Sequence, residues 1–231
     1  MFIRTLAACA AVLVAAESAH AAINGFTERF ATGSANWRNA NGAADLAWFA
    51  SGGPPGGSSG GTSTLAYASS TFNLSATTVG GFPPTVIRAH ASYGSSAGGY
   101  VGNWIAEGAN RVSFMFRHDL AEAVTVTGRF ATPTNAPGAS VVSTTVILPN
   151  AWTLVSFDLR EGSSDIVSLG GGTYQAIFSN IGNMQFGFTV PASLAGQNID
   201  GRFDIADFSI VPGPGALALA AAAGLIRRRS R

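Results

Sequence analysis

Residues able to perform acid–base or nucleophilic chemistry are few and scattered in this 231-residue chain. Two stretches, Gly57-Ser58-Ser59-Gly60-Gly61 and Gly94-Ser95-Ser96-Ala97-Gly98, fit the G-x-S-x-G pattern of a nucleophilic serine. Such a serine needs a strand before it and a helix after it, and no helical pattern follows either stretch. Beyond the first 21 residues the histidines are His90 and His118, both at strand-like positions that suit structural roles. Asp200, Asp204 and Asp207 form one acidic group, and Asp158, Glu161 and Asp165 another. Glycoside hydrolysis needs two carboxyls facing each other about 5 to 10 Å apart. Acids at strand ends and in loops are more simply solvated, so no catalytic residue is assigned.

Binding is the chemistry that the aromatic residues allow. A sugar site combines aromatic faces, which stack on pyranose rings, with polar groups that fix the hydroxyls. Tyr93, Tyr100, Asn103 and Trp104 lie in one Gly-rich stretch, and Trp48 precedes a Pro/Gly-rich loop. These five are the candidate ligand-binding residues. The competing reading for each is packing in the core, since Trp and Tyr are common inside proteins. That reading is stronger for Trp37 and Trp152.

The elements that must hold these residues read as strands. Val112, Phe114 and Phe116 alternate with polar or longer residues, as do Val155, Phe157 and Leu159, and Met184, Phe186, Phe188 and Val190. A period of two places one face in a core and the other in water. Phe114, Phe116, Phe157, Phe186 and Phe188 should therefore point inward. Further strands are expected over residues 23–30, 86–93, 124–127, 141–148, 173–178 and 203–211, separated by Gly, Pro, Asn and Ser clusters. Many short strands without a long amphipathic helix predict an all-β, antiparallel β-sandwich.

Only 11% of residues are charged, and the formal net charge is +1. Every basic residue is arginine, and four of the 13 fall in the last five positions. The body at residues 22–211 carries eight arginines against eleven acids. That balance excludes a strongly basic nucleic-acid binder.

Both ends carry addressing features. Arg4, the apolar run from Leu6 to Ala16 and the A-x-A site Ala19-His20-Ala21 read as a secretory signal peptide cleaved after Ala21. Its partner would be a signal peptidase. Cys9 is the only cysteine, so the processed chain would hold no disulfide and no thiolate metal ligand. At the other end, Val211-Pro212-Gly213-Pro214-Gly215 leads into an 11-residue apolar run, Ala216 to Ile226, and then Arg227-Arg228-Arg229-Ser230-Arg231. Eleven helical residues reach about 16 Å, against a hydrocarbon core of about 30 Å. The segment is thus a marginal span, suited to transient insertion in the inner membrane.

In its order of parts this tail resembles the PEP-CTERM sorting signal of Gram-negative bacteria, in a V-P-x-P-G-A-L-A-L form covering residues 211–231. Gly213-Pro214-Gly215 stands where the family has Pro-Glu-Pro. The resemblance implies an exosortase-type processing enzyme as partner and delivery to the cell surface, outer envelope or exopolysaccharide matrix. A simple C-terminal membrane anchor stays open.

The body resembles a galactose-binding-like or laminin-IV-like jelly roll. The resemblance rests on Phe30, Gly33 and Trp37 at its opening, on Trp48 with the Ser51-Gly52-Gly53-Pro54-Pro55-Gly56-Gly57 loop, on Trp152-Thr153-Leu154-Val155-Ser156-Phe157-Asp158-Leu159, and on the closing Ile205-Ala206-Asp207-Phe208-Ser209-Ile210. No other cofactor is implied, but in that family a structural calcium links the first and last strands. The matching candidates are Glu28 and Asp207, with Ala206 replacing one family ligand. Together these readings predict a signal peptide at 1–21, a jelly-roll domain at 22–210 and a sorting or anchor segment at 211–231, with a helix at each end of the chain. The expected function is a non-catalytic surface or matrix protein that extends to carbohydrate binding. The alternative is an extracellular glycosidase or esterase on the same scaffold.

Overall fold

Alternating strands with one apolar face can bury that face only against a second sheet. The computed structural model, which describes residues 23, 25–55 and 64–212, has this arrangement. Its strands are β1 (Thr27–Glu28), β2 (Arg38–Asn39), β3 (Ala47–Phe49), β4 (Tyr67–Asn73), β5 (Thr85–His90), β6 (Ala109–His118), β7 (Val124–Ala131), β8 (Gly138–Ile147), β9 (Thr153–Asp158), β10 (Ile166–Ser168), β11 (Asn183–Phe188) and β12 (Asp200–Pro212). One short α-helix, α1 (Tyr174–Phe178), and three 3-10 turns accompany them among the described residues.

One sheet has the order β3-β4-β12-β6-β9, with β1 also on β12; the other runs β10-β8-β7-β11-β5-β2. Every pairing is antiparallel. The eight longest strands explain the pattern. Taken in chain order, the first pairs with the last (β4 with β12), the second with the seventh (β5 with β11), the third with the sixth (β6 with β9) and the fourth with the fifth (β7 with β8). A long ribbon wound in this way is a jelly roll. The expected all-β jelly-roll sandwich is the fold observed.

Between the sheets lies an aromatic core. Phe114, Phe116, Phe157, Phe186 and Phe188 are all fully buried, as their alternation requires. Phe186 sits at the centre, with its ring 4.7 Å from Phe114, 6.2 Å from Phe130, 6.0 Å from Phe208 and stacked on Trp37 at 6.1 Å. Offset and edge-to-face pairs of this kind add to the area term of burial.

Several local expectations are corrected. Residues 173–178 form α1, not a strand. The Thr173 hydroxyl caps the helix by accepting from the Ala176 N–H at 3.1 Å, and the adjacent Ile177 and Phe178 both enter the core, which a strand cannot arrange. β4 has no counterpart among the expected strands; its Ser-rich stretch hides a central element. β12 runs through Val211 and Pro212, paired with Arg111 and Ala109, so these two residues, expected to open the sorting or anchor segment, extend the sandwich. The expected terminal helices, the cleavage residues Ala19 and Ala21, and the tail residues Gly213, Pro214, Arg227, Arg228 and Arg229 lie outside the described residues. None of the described helices is long and apolar enough to cross a membrane.

Candidate functional site

The five aromatic and amide candidates do not form one surface. Tyr100 and Trp104 are fully buried, which corrects their candidacy as ligand-binding residues in favour of core packing. The Trp104 indole donates to the Tyr100 carbonyl at 2.7 Å and packs edge-on against Phe130 at 5.6 Å. Burial pushes the Tyr100 phenol well above its ordinary pKa. Asn103 is exposed, but its side chain accepts from the Ala106 N–H and serves a turn. Tyr93 is half-buried beneath Arg38, whose guanidinium carbon lies 4.2 Å from the ring centroid. Trp48 is 39% exposed on β3, in the opposite sheet, and its indole donates to the Phe30 carbonyl at 2.6 Å.

The candidate catalytic groups are likewise engaged separately. Ser96 accepts from the Trp37 indole at 2.7 Å, and the stretch from Ser95 is a 3-10 turn without a following α-helix. His90 Nδ1 accepts from the Ser92 N–H at 3.0 Å and lies 2.7 Å from the Ser92 hydroxyl, a serine outside both G-x-S-x-G stretches. The other serine stretch, at residues 57–61, lies outside the described residues. Asp204 pairs with Arg117, Asp158 with Arg160, and Asp207 with Arg29. Asp200 accepts from Asn73, and Asp165 from the Asp158 N–H.

Glu28 and Asp207 do stand on neighbouring strands, with Glu28 opposite Phe208. This donor set does not fit a calcium ion. Glu28 Oε1 turns back to accept from the Phe30 N–H at 2.6 Å, and Asp207 Oδ1 faces the Arg29 guanidinium at 3.6 Å. Calcium takes six to eight oxygens, and no group of three or more His, Cys, Asp or Glu converges among the described residues.

A different site emerges on the outer face of the β10-β8-β7-β11-β5-β2 sheet. In β11, Met184, Phe186 and Phe188 point inward, so Asn183, Gln185 and Gly187 point outward. Asn183 and Gln185 are nonetheless almost fully buried, because flanking segments rise on both sides. Gln185 and Gly187 line a trough of about 420 Å³. One wall is the segment Phe82-Pro83-Pro84 before β5. It lies so close to the sheet that a Cβ on Gly187 would collide with the Pro84 carbonyl. Phe82 is fully exposed on this wall. The opposite wall is β10, with exposed Val167 and with Ser168.

The floor is polar and pinned. Asn135 Oδ1 accepts from Asn183 Nδ2 at 2.9 Å and from Gln185 Nε2 at 2.8 Å. Gln185 Oε1 accepts from the Thr85 hydroxyl at 3.1 Å. Arg129 donates from Nη2 to the Asn135 carbonyl at 2.8 Å. Thr127 and Ser140 complete the floor. A concave site with apolar rims and a few fixed polar groups is a standard small-ligand geometry. None of its residues was among the sequence candidates. For Gln185 and Gly187 the signal was the outward half of the alternation that had placed Phe186 in the core.

Fold and site thus define a jelly-roll sandwich with a polar trough across one sheet. No protein-family model matches the chain, and no curated protein matches it. Among solved structures it is similar to a family 11 carbohydrate-binding module from Clostridium thermocellum in complex with a mixed-linked tetrasaccharide, at 13% identity and a TM-score of 0.42, over 82% of this chain and 97% of that one. It is also similar to an exo-β-agarase, at 9% identity and a TM-score of 0.48, over 83% of this chain and 25% of that one. A third is a Clostridium thermocellum xylanase 10B, a two-module structure bound to xylohexaose, at 12% identity and a TM-score of 0.46, over 81% of this chain and 28% of that one. The chain spans under a third of the length of these last two structures.

Proposed function

We propose that this is an exported, non-catalytic surface or matrix protein that binds carbohydrate in the trough. The observation that carries the binding reading is the pinned amide floor beneath an exposed phenylalanine. Groups already held by Asn135 need little further ordering on binding, which favours affinity. Phe82 offers a ring face for a sugar, and the Thr85, Thr127, Ser140 and Gln185 side chains offer partners for hydroxyls.

Retention on immobilised polysaccharides and a glycan array test this reading. Phe82→Ala should weaken retention by about tenfold, equivalent to ~1.4 kcal/mol, with an unchanged melting temperature, because the ring is fully exposed. Unchanged retention of that variant would remove the trough from consideration. Export and sorting are supported by the order of parts at the two ends of the sequence. Intact-mass analysis of protein recovered from the cell surface should find loss of the first 21 residues and of the arginine tail. A surface form that keeps Arg231 would favour a simple anchor.

A further inference from the structure

The two sheets divide the charge unequally. The strands of the trough sheet contain Arg38, Arg88 and Arg129 and no Asp or Glu; those of the other sheet contain Glu28, Asp158, Asp200, Asp204 and Asp207 with three arginines. The body as a whole has more acids than bases, so an acid-free sheet is a departure from its average.

The three arginines also share one line. Register places Arg38 opposite Arg88, Arg88 opposite Gln185, Gln185 opposite Arg129, and Arg129 opposite Ser140. Residues directly opposed across a sheet lie on one face, about 4.8 Å apart. The row therefore crosses the outer face; Gln185, Arg129 and Ser140 line the trough, whereas Arg88, about 10 Å from Arg129 along the row, lies beyond its lining. Arg38 is neutralised by Asp45 at 3.5 Å. Arg88 and Arg129 have no carboxylate partner among the described residues. Each donates one bond to a main-chain carbonyl, Arg88 to Ala40 at 2.6 Å and Arg129 to Asn135 at 2.8 Å. A guanidinium has five N–H donors in a planar fork, so both keep donors free.

Space is reserved for the Arg129 fork. A Cβ on Gly138 would come within 2.8 Å of the Arg129 guanidinium carbon, so glycine there lets the side chain lie across β8.

Resting on the reading of the trough as a glycan site, we propose that its ligand is an anionic polysaccharide bearing carboxylates, held by the Arg129 fork. Bidentate pairing with carboxylate is the geometry that arginine provides and lysine does not. Hydroxyls of the same chain would meet Gln185, Thr85 and Ser140.

The test compares polygalacturonate and alginate with their carboxyl-reduced counterparts, using the unaltered protein and calorimetry or affinity electrophoresis. Binding to a native acidic polymer should fall at least tenfold on carboxyl reduction. Arg129→Gln should weaken binding at least tenfold and flatten its salt dependence. Arg111→Gln, the same charge change on the other sheet, should have no effect. Equal binding of native and reduced polymers would overturn the anionic inference and leave the glycan reading intact. Binding of neither would overturn both. Equal weakening by Arg111→Gln, or equal affinity for duplex DNA, would mark general charge attraction and overturn the inference.

Discussion

Arg117 grips Asp204 with Nε and Nη2, each 2.7 Å from the same carboxylate oxygen, on the outer face opposite the trough. The carboxylate is fully buried, and the guanidinium lies 4.5 Å from the Trp152 ring centroid and 5.2 Å from that of Tyr67. Tyr67 in turn stacks on Phe49 at 4.7 Å. Trp152, expected in the core, is therefore part of an outer cover over this ion pair.

That relationship yields the first prediction. Removing one partner of a buried pair leaves the other charge uncompensated, at about 3–5 kcal/mol. Asp204→Asn should lower stability by that amount in urea unfolding, and Arg117→Met by less, because Arg202 Nε still lies 3.5 Å from the same carboxylate oxygen. The double variant Arg117→Met with Asp204→Leu should recover part of the loss, because it removes the buried carboxylate together with the guanidinium that grips it, while Arg202 Nε, 3.5 Å from Asp204, loses its partner. Additive losses in the double variant would show that packing, not charge, governs the site.

The second prediction concerns the core. Phe186→Ala should cost about 3–5 kcal/mol, the usual range for a buried phenylalanine, because the ring touches aromatic neighbours from both sheets. Phe186→Leu should cost less, since it keeps more of the volume. A melting temperature within a degree or two of the unaltered protein would contradict the arrangement of β11.

Third, Tyr100 and Trp104 should behave as core. Trp104→Ala should lose about 3–5 kcal/mol of stability. Glycan retention measured well below the melting temperature should stay unchanged. Loss of retention in a variant of unaltered stability would return these residues to the binding surface.

The fourth prediction is a pH dependence. His118 is buried, with Nε2 facing the Ile147 carbonyl at 3.1 Å and no partner for Nδ1 among the described residues. Burial lowers its pKa below the ordinary 6.5, opposed more weakly by the Ile147 carbonyl and the Asp119 charge. The unfolded chain therefore binds a proton before the folded one does. Stability should be level above pH 6.5 and fall below it, until the folded state also protonates. His118→Gln should shrink the stability difference between pH 7.5 and pH 5.5. His90 is shifted in the same direction, chiefly by burial, so His90→Gln serves as the comparison. An unchanged difference in the His118 variant would remove it as the source.

The fold was legible where strands alternate strictly. Phe114 with Phe116, and Phe186 with Phe188, announce both their strands and their inner face, since period two leaves one choice of side. β4 was illegible because Ala68, Ser69 and Ser70 are small and are buried by neighbours, not by their own hydrophobicity. Tyr100 and Trp104 lie among turns with no period, so nothing local told core from surface. The trough was half legible. Alternation put Gln185 outward, but only the long-range register brings Arg88 and Arg129 to its sides and Asn135 over it.

The place of β12 bears on how the chain comes to fold. This strand, closest to the C-terminus among those described, lies between β4 and β6 and holds its sheet together. Until residues 200–212 have been synthesised, β4 and β6 have no common neighbour and both expose unpaired edges. Nor can the aromatic core close, since Phe203, Ile205, Phe208 and Ile210 belong to the missing strand. Contacts this distant in sequence form slowly. The sandwich therefore assembles after the ribosome has finished it, and a chain stopped short of residue 200 should be sticky and unfolded, not a smaller version of the domain.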